Sequence, residues 1–177
     1  MYSLINAIGF QTAWWACVAG VGHGLEVSAL AYCAALAAAH LVYVDKRWQE
    51  LQLAAVALAI GVGVDTALQY FSVIHFYGWA LWDVSPFWLW ALWVLFAMTL
   101  NASLSFLKTQ PLWLSGAAGL LFGPLTYYAG AKLGAASFDA SATHVLALAL
   151  AWMLALPVMV MAATRISANV AILERSP

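Results

Sequence analysis

Charge is what this sequence has least of. Asp, Glu, Lys and Arg make up 7% of its 177 residues, six basic against seven acidic, for a formal net charge of -1. A soluble domain is typically about a quarter charged, so a water-soluble monomer is excluded. Disorder needs low hydrophobicity and high charge; here 66% of residues are hydrophobic and mean hydropathy is +0.92. Without a basic excess there is no electrostatic case for nucleic acid. Cysteine is scarce too. Cys17 and Cys33 lie in apolar stretches with no CxxC and no zinc-knuckle spacing, so a disulfide framework is excluded. Both thiols read as small core residues, and no cofactor is implied.

What is there is a series of long apolar runs. A helix needs about 20 apolar residues to cross a hydrocarbon core of roughly 30 Å. Runs of that kind predict helices at about 4–21, 27–44, 51–71, 86–107, 111–133 and 142–163. Gly20, Gly22 and Gly24 break the first, Asp45-Lys46-Arg47 stops the second, and Pro86 opens the fourth. A β-barrel would alternate apolar and polar residues in segments of about ten; stretches such as AALAAAHL and LALALAWMLAL do not. The expected fold is therefore all-α: a polytopic bundle of about six transmembrane helices forming a single domain over 1–177. The first run follows no Lys or Arg and exceeds the roughly 7–15 apolar residues of a secretory signal, so a cleaved leader is not expected. Lys46, Arg47, Lys108, Arg165 and Arg175 gather on one side and Lys132 alone on the other. Basic loops stay cytoplasmic, which predicts both termini inside a bacterial inner membrane.

The glycines of helix five include two small-xxx-small pairs, Gly119/Gly123 and Gly130/Gly134. Small residues let backbones approach in lipid, where no hydrophobic drive holds helices together. Helix five is thus expected to be the central, most buried one. Pro124 and Pro157 are expected to kink helices five and six. Such kinks serve packing alone or open a cavity. Asn6 and Gln11 in helix one, with Asn101 in helix four, form a polar set; Gln11 and Asn101 fall at similar depth and are expected to bond as structural glue.

Asp65 is the most expensive residue in the chain. It lies about 21 Å along helix three, where an Asp costs about 2.5–3.5 kcal/mol to insert. It must be protonated, paired or facing water. Gln69, one turn further on, and Lys132, whose stem can snorkel, are its expected partners, and Gly61 and Gly63 let a neighbour come close. His23, Glu26, His75, Asp83, Lys132, Asp139 and His144 all fall at the outer end. A metal site from His23, Glu26, His75 and His144 is conceivable by ligand type, but the spacing matches no known zinc motif, and no metal is expected. Ten aromatic residues stand between Tyr70 and Trp93. The segment 72–85 is expected to lie in the interface as a short helix or to re-enter the protein. It either anchors the chain or lines a pocket for an apolar molecule, with His75, Trp79, Trp82 and Trp88 in its wall.

Several of these pieces together resemble a known family. They are Asn6-x3-Phe10-Gln11-x2-Trp14, Asp65, Pro86-Phe87-Trp88-Leu89-Trp90-Ala91-Leu92-Trp93 and Thr99-Leu100-x2-Ser103, followed by Gly123-Pro124-x2-Tyr127-x-Ala129-Gly130-x2-Leu133-Gly134 and Trp152 with Pro157. The family is one of small bacterial multi-pass inner-membrane proteins classed as a domain of unknown function. The resemblance spans nearly the whole chain and supplies no catalytic residues. It implies a lipid-linked role through the fatty-acid-modifying genes that such proteins accompany.

Three functions follow as expectations. The first is binding or processing of a lipid-like molecule at the outer leaflet, with Asp65 and Lys132 as catalytic groups if there is chemistry. The second is a small carrier or channel using Asp65 as a proton or cation site. The third is a non-catalytic membrane partner. Membrane lipids are the expected contacts, and assembly as a homo-oligomer is left open.

Overall fold

The computed structural model describes the backbone of residues 1–173 and the side chains of residues 1–168; Arg175, counted in the charge bias above, lies outside the described residues. Each apolar run forms a helix. Helix α1 spans Tyr2–His23 and ends on Gly24, whose φ of 69° places it in the left-handed region that a residue without Cβ enters at little cost. α2 is Glu26–Tyr43, and α3 runs Arg47–Tyr70. α4 is Phe87–Leu100, entered through Pro86, and α5 is Leu112–Lys132, entered through Pro111. α6 spans Ala142–Leu173 and contains Pro157. α1, α2, α3 and α6 are each long and apolar enough to cross a membrane.

α4 is shorter than the expected 86–107. Its 14 residues reach about 21 Å, and the chain then turns into a short 3-10 helix at Ser105–Thr109. Near its end Thr99 donates to the Phe96 carbonyl, and in the turn that follows Ser105 donates to the Ala102 carbonyl. The turn is also held from α1, because Asn6 Oδ1 accepts the Ser103 hydroxyl at 2.7 Å. That bond, rather than one between Gln11 and Asn101, ties α1 to this region. Asn101 Oδ1 instead accepts from Lys108 Nζ at 2.8 Å. Burial holds the Lys108 ammonium below the usual lysine range, against the opposing pull of Glu50.

The central helix is α4, not α5. It packs against α1, α2, α3 and α6 and buries nine residues, among them Trp88, Leu92, Trp93 and Met98. A helix apolar on every side belongs in a core. α5 buries one face only, Ser115, Gly116, Gly119, Gly123, Tyr127 and Gly130, and leaves Leu121, Phe122 and Leu125 exposed. Its small residues mark close approach to α6 rather than depth: a methyl group on Gly119 or Gly123 would overlap the backbone or ring of Trp152. Gly134 has another task, a φ of +87° in the turn beyond α5 with no atom near its missing side chain.

Segment 72–85 is not a helix, and Ile74, Phe76 and Ser85 within it are buried in the protein. His75–Phe76 pairs antiparallel with Ala136–Ser137 beyond α5, with His75 opposite Ser137. Side chains then pin the rest: Glu26 accepts the Trp79 amide at 2.7 Å, Thr66 the Ser85 amide, and Gln69 the Phe76 amide. At the opposite end of the bundle, Tyr2 Oη lies 2.9 Å from His40 Nδ1, and His40 Nε2 lies 3.2 Å from Glu50. These contacts, buried at His40 and Glu50 and half-buried at Tyr2, link α1, α2 and α3. The Cys17 and Cys33 sulfurs, both buried and free, touch at 3.4 Å between α1 and α2.

Candidate functional site

Asp65 is fully buried on α3, so each carboxylate oxygen needs a donor. Both have one. Trp93 Nε1 on α4 donates to Oδ2 at 2.7 Å, and the Tyr127 hydroxyl on α5 donates to Oδ1. Gly61 makes this possible: it sits one turn before Asp65 on the same helix face, and a methyl group there would overlap the Trp93 indole. Beyond Trp93 the cluster continues into α6, where the Trp152 indole stacks on it with centroids 4.8 Å apart. Tyr127 meets the Trp152 edge at 6.2 Å, and Phe76 from the strand pair lies 5.8 Å from Tyr127. One carboxylate thus organises three helices directly and a fourth through an aromatic stack.

Next to this cluster is a cavity of about 550 Å³. Its wall draws on α1 (Phe10, Trp14), α4 (Trp88, Leu92, Trp93), α5 (Phe122, Tyr127) and Trp152 of α6. Gln11 and Thr126 are its polar members besides Tyr127, and the Thr126 hydroxyl is already donated to the Phe122 carbonyl. α1 and α5 face each other across the space and scarcely touch. Gly130 of α5 lies beside Val18 of α1, and Gln11, Phe106 and Phe122 of the lining are exposed. The cavity is a partly open slot between the two helices. Asp65 stands behind it, screened by the two side chains that bond to it.

Other sequence-predicted residues fall elsewhere. Lys132 is exposed, its ammonium 5.3 Å above the Tyr128 ring, and does not pair with Asp65; with two neutral donors in place the carboxylate has no need of a cation. Gln69 does not reach Asp65 either, because its amide is spent on the Phe76 amide and the Asp83 carbonyl. Trp88 lines the cavity, but Trp79 and Trp82 are exposed, Trp82 to 91%, and His75 packs edge-on against Tyr77 outside it. Gly61 receives Trp93, whereas Gly63 has nothing beside it. Among the described residues no three His, Cys, Asp or Glu are grouped to hold a metal; Glu26 is committed to Trp79, and His144 lies 3.1 Å from the Asp139 carbonyl. Sequence reasoning missed the two donors to Asp65 and the role of Trp152. The available signal was chemical: a carboxylate in an apolar span needs donors, and Trp93 and Tyr127 carry them.

The chain belongs to the family described as "Protein of unknown function (DUF2878)", whose model matches residues 3–158 and so takes in Asp65, Trp93, Tyr127 and Trp152. No curated protein and no solved structure matches the chain.

Proposed function

We propose that the protein is a polytopic inner-membrane protein that binds a lipid-like molecule in the slot between α1 and α5. On this reading six helices span the bilayer, α4 and α5 included, with both termini on the cytoplasmic side, where Lys46, Arg47, Lys108 and Arg165 gather. Leu4, Ile5, Trp113, Phe122 and Leu154 are among many large apolar side chains left exposed, more than a water-soluble monomer tolerates.

The observation that carries the ligand reading is the cavity itself. Its volume falls within the roughly 300–1,000 Å³ of small-molecule sites, and its wall is mostly aromatic and aliphatic with few polar groups. On the six-span reading, the exposed Phe106 and Phe122 of its lining would meet acyl chains. Asp65 serves here as the fixed acceptor that holds Trp93 and Tyr127 in the wall. A polar path to Asp65, as a carrier would use, has no support in this lining, which includes neither Asn101 nor Asp65.

The test is mass spectrometry of lipid retained by protein purified in mild detergent. Gly130 has room for a side chain, its nearest neighbour being Val18 at 4.0 Å, so Gly130→Leu should fill part of the cavity it lines. Retention is expected to fall about tenfold in that variant. A wild-type protein that purifies empty, or equal retention in both, overturns the proposal.

A further inference from the structure

No Asp, Glu, His, Lys or Arg lines the slot, and an unpaired ion among apolar walls is costly. Its polar side chains are few and mostly committed. The Tyr127 hydroxyl is given to Asp65 and the Thr126 hydroxyl to the Phe122 carbonyl. The Trp88 and Trp93 indoles donate to the Tyr77 carbonyl and to Asp65, and the Trp152 nitrogen is closed off beside Tyr127. Gln11 is the exception. It lines the cavity, is exposed, and makes no side-chain hydrogen bond among the described residues. Its depth makes that expensive. Gln11 is the tenth of the 22 residues of α1, about 14 Å along a helix about 33 Å long. If α1 crosses the membrane, the carboxamide lies near mid-bilayer whichever terminus is inside, too far from either interface to snorkel. An amide there without a partner is costly, and glutamine in a span ordinarily bonds to a neighbouring helix. Here the neighbouring groups are taken: Asn6 holds Ser103, and Thr12 holds the Gly9 carbonyl and lies 2.9 Å from the Tyr32 hydroxyl.

We propose that the slot selects a single-chain lipid with a small uncharged head, a hydroxyl or an amide, and that Gln11 is the residue that recognises that head. This rests on the reading of the slot as a lipid-like binding site and adds the chemistry of its ligand. A carboxamide both donates and accepts, and a hydroxyl or amide answers it in both directions. Trp14, three residues further on the same face of α1, also lines the slot, and its indole N–H has no partner among the described residues; it supplies a second donor next to the first. The absence of charge in the lining rejects an ionic head, and the rest of the wall takes the chain. A pure hydrocarbon fits the same walls but leaves the Gln11 amide unpaired, so it binds more weakly.

The experiment uses the full chain in lipid nanodiscs with three probes of one chain length: hexadecane, hexadecan-1-ol and hexadecyl sulfate. Transfer of each radiolabelled probe from empty to protein-loaded nanodiscs reads affinity at equal mole fraction in the lipid. The side-chain amide ¹⁵N–¹H resonances of Gln11 read the contact directly. Hexadecan-1-ol is expected to bind about tenfold more tightly than hexadecane and to shift the Gln11 resonances, while hexadecyl sulfate binds no better than hexadecane. Gln11→Met keeps a side chain of similar length without the amide, and should bring the alcohol to the level of hexadecane. Equal binding of alkane and alcohol by the wild type overturns the neutral-head proposal while leaving an apolar site. So does an alcohol preference that survives Gln11→Met, or a sulfate that binds as tightly as the alcohol. Native mass spectrometry that finds dimers lost in Gln11→Met, with no preference for the alcohol, overturns it in favour of a second copy as the partner of Gln11. Failure of every probe to bind overturns the lipid-site reading and this proposal together. Because the wild-type comparison stands alone, a Gln11→Met variant that fails to fold does not rescue either one.

Discussion

The indole of Trp93 lies almost parallel to that of Trp152, 14° apart with centroids at 4.8 Å, while its N–H is held by Asp65. The carboxylate therefore sets the position of an aromatic pair that crosses from α4 to α6. Its removal should be felt well beyond α3.

Asp65→Ala orphans two buried donors, at about 1–3 kcal/mol each. Asp65→Asn retains one acceptor oxygen and should fall between Ala and wild type. Thermal unfolding in detergent, followed by tryptophan fluorescence, is expected to rank them wild type, Asn, Ala. Melting that is alike in all three would remove Asp65 from its structural role.

The glycines of α3 separate cleanly. Gly61→Ala drives a methyl group into the Trp93 ring, and overpacking of this kind costs about 1–3 kcal/mol or more. Gly63 is exposed with nothing beside it, so Gly63→Ala should stabilise the helix by about 0.5–1 kcal/mol. Opposite shifts in melting temperature are the expected result.

Gly119→Ala meets the Trp152 backbone, which cannot swing aside, whereas Gly123→Ala meets its side chain. The first should be the more damaging, and Trp152→Ala, which keeps the Cβ that the Gly123 methyl would meet at 2.6 Å, should relieve the second only in part and the first not at all. Comparing the accumulation of single and double variants in membranes checks this.

The His40–Glu50 contact is buried on both sides. Removing one partner leaves a buried polar group without its neighbour, at about 1–3 kcal/mol or more, while replacing both with apolar residues of similar shape is often neutral. His40→Ala should therefore destabilise strongly, and the double variant His40→Phe, Glu50→Leu should regain most of the loss.

The helices were legible because continuous apolar runs are long and their breaks carry Gly, Pro or charge. Asp65 was legible because a carboxylate in such a run is costly enough to demand an explanation. Its partners were not. Trp93 and Tyr127 sit among so many aromatics that periodicity cannot say which ring turns its polar edge inward. The end of α4 was hidden for a related reason, since the bond that holds its turn comes from Asn6, 97 residues away. Glycine in α5 was read as depth, yet it reports only how near a neighbour comes, and burial went to the bulkier α4. Lys132 drew attention as the one nearby cation, although neutral donors suffice.

The slot between α1 and α5, taken as the proposed lipid site, has a consequence for how occupancy should scale. On that proposal a guest arrives from the surrounding bilayer and is never dissolved in water as a free species. Saturation should then follow its mole fraction among the lipids, so that enlarging the nanodisc at constant total guest empties the protein, while diluting the whole sample with buffer does not.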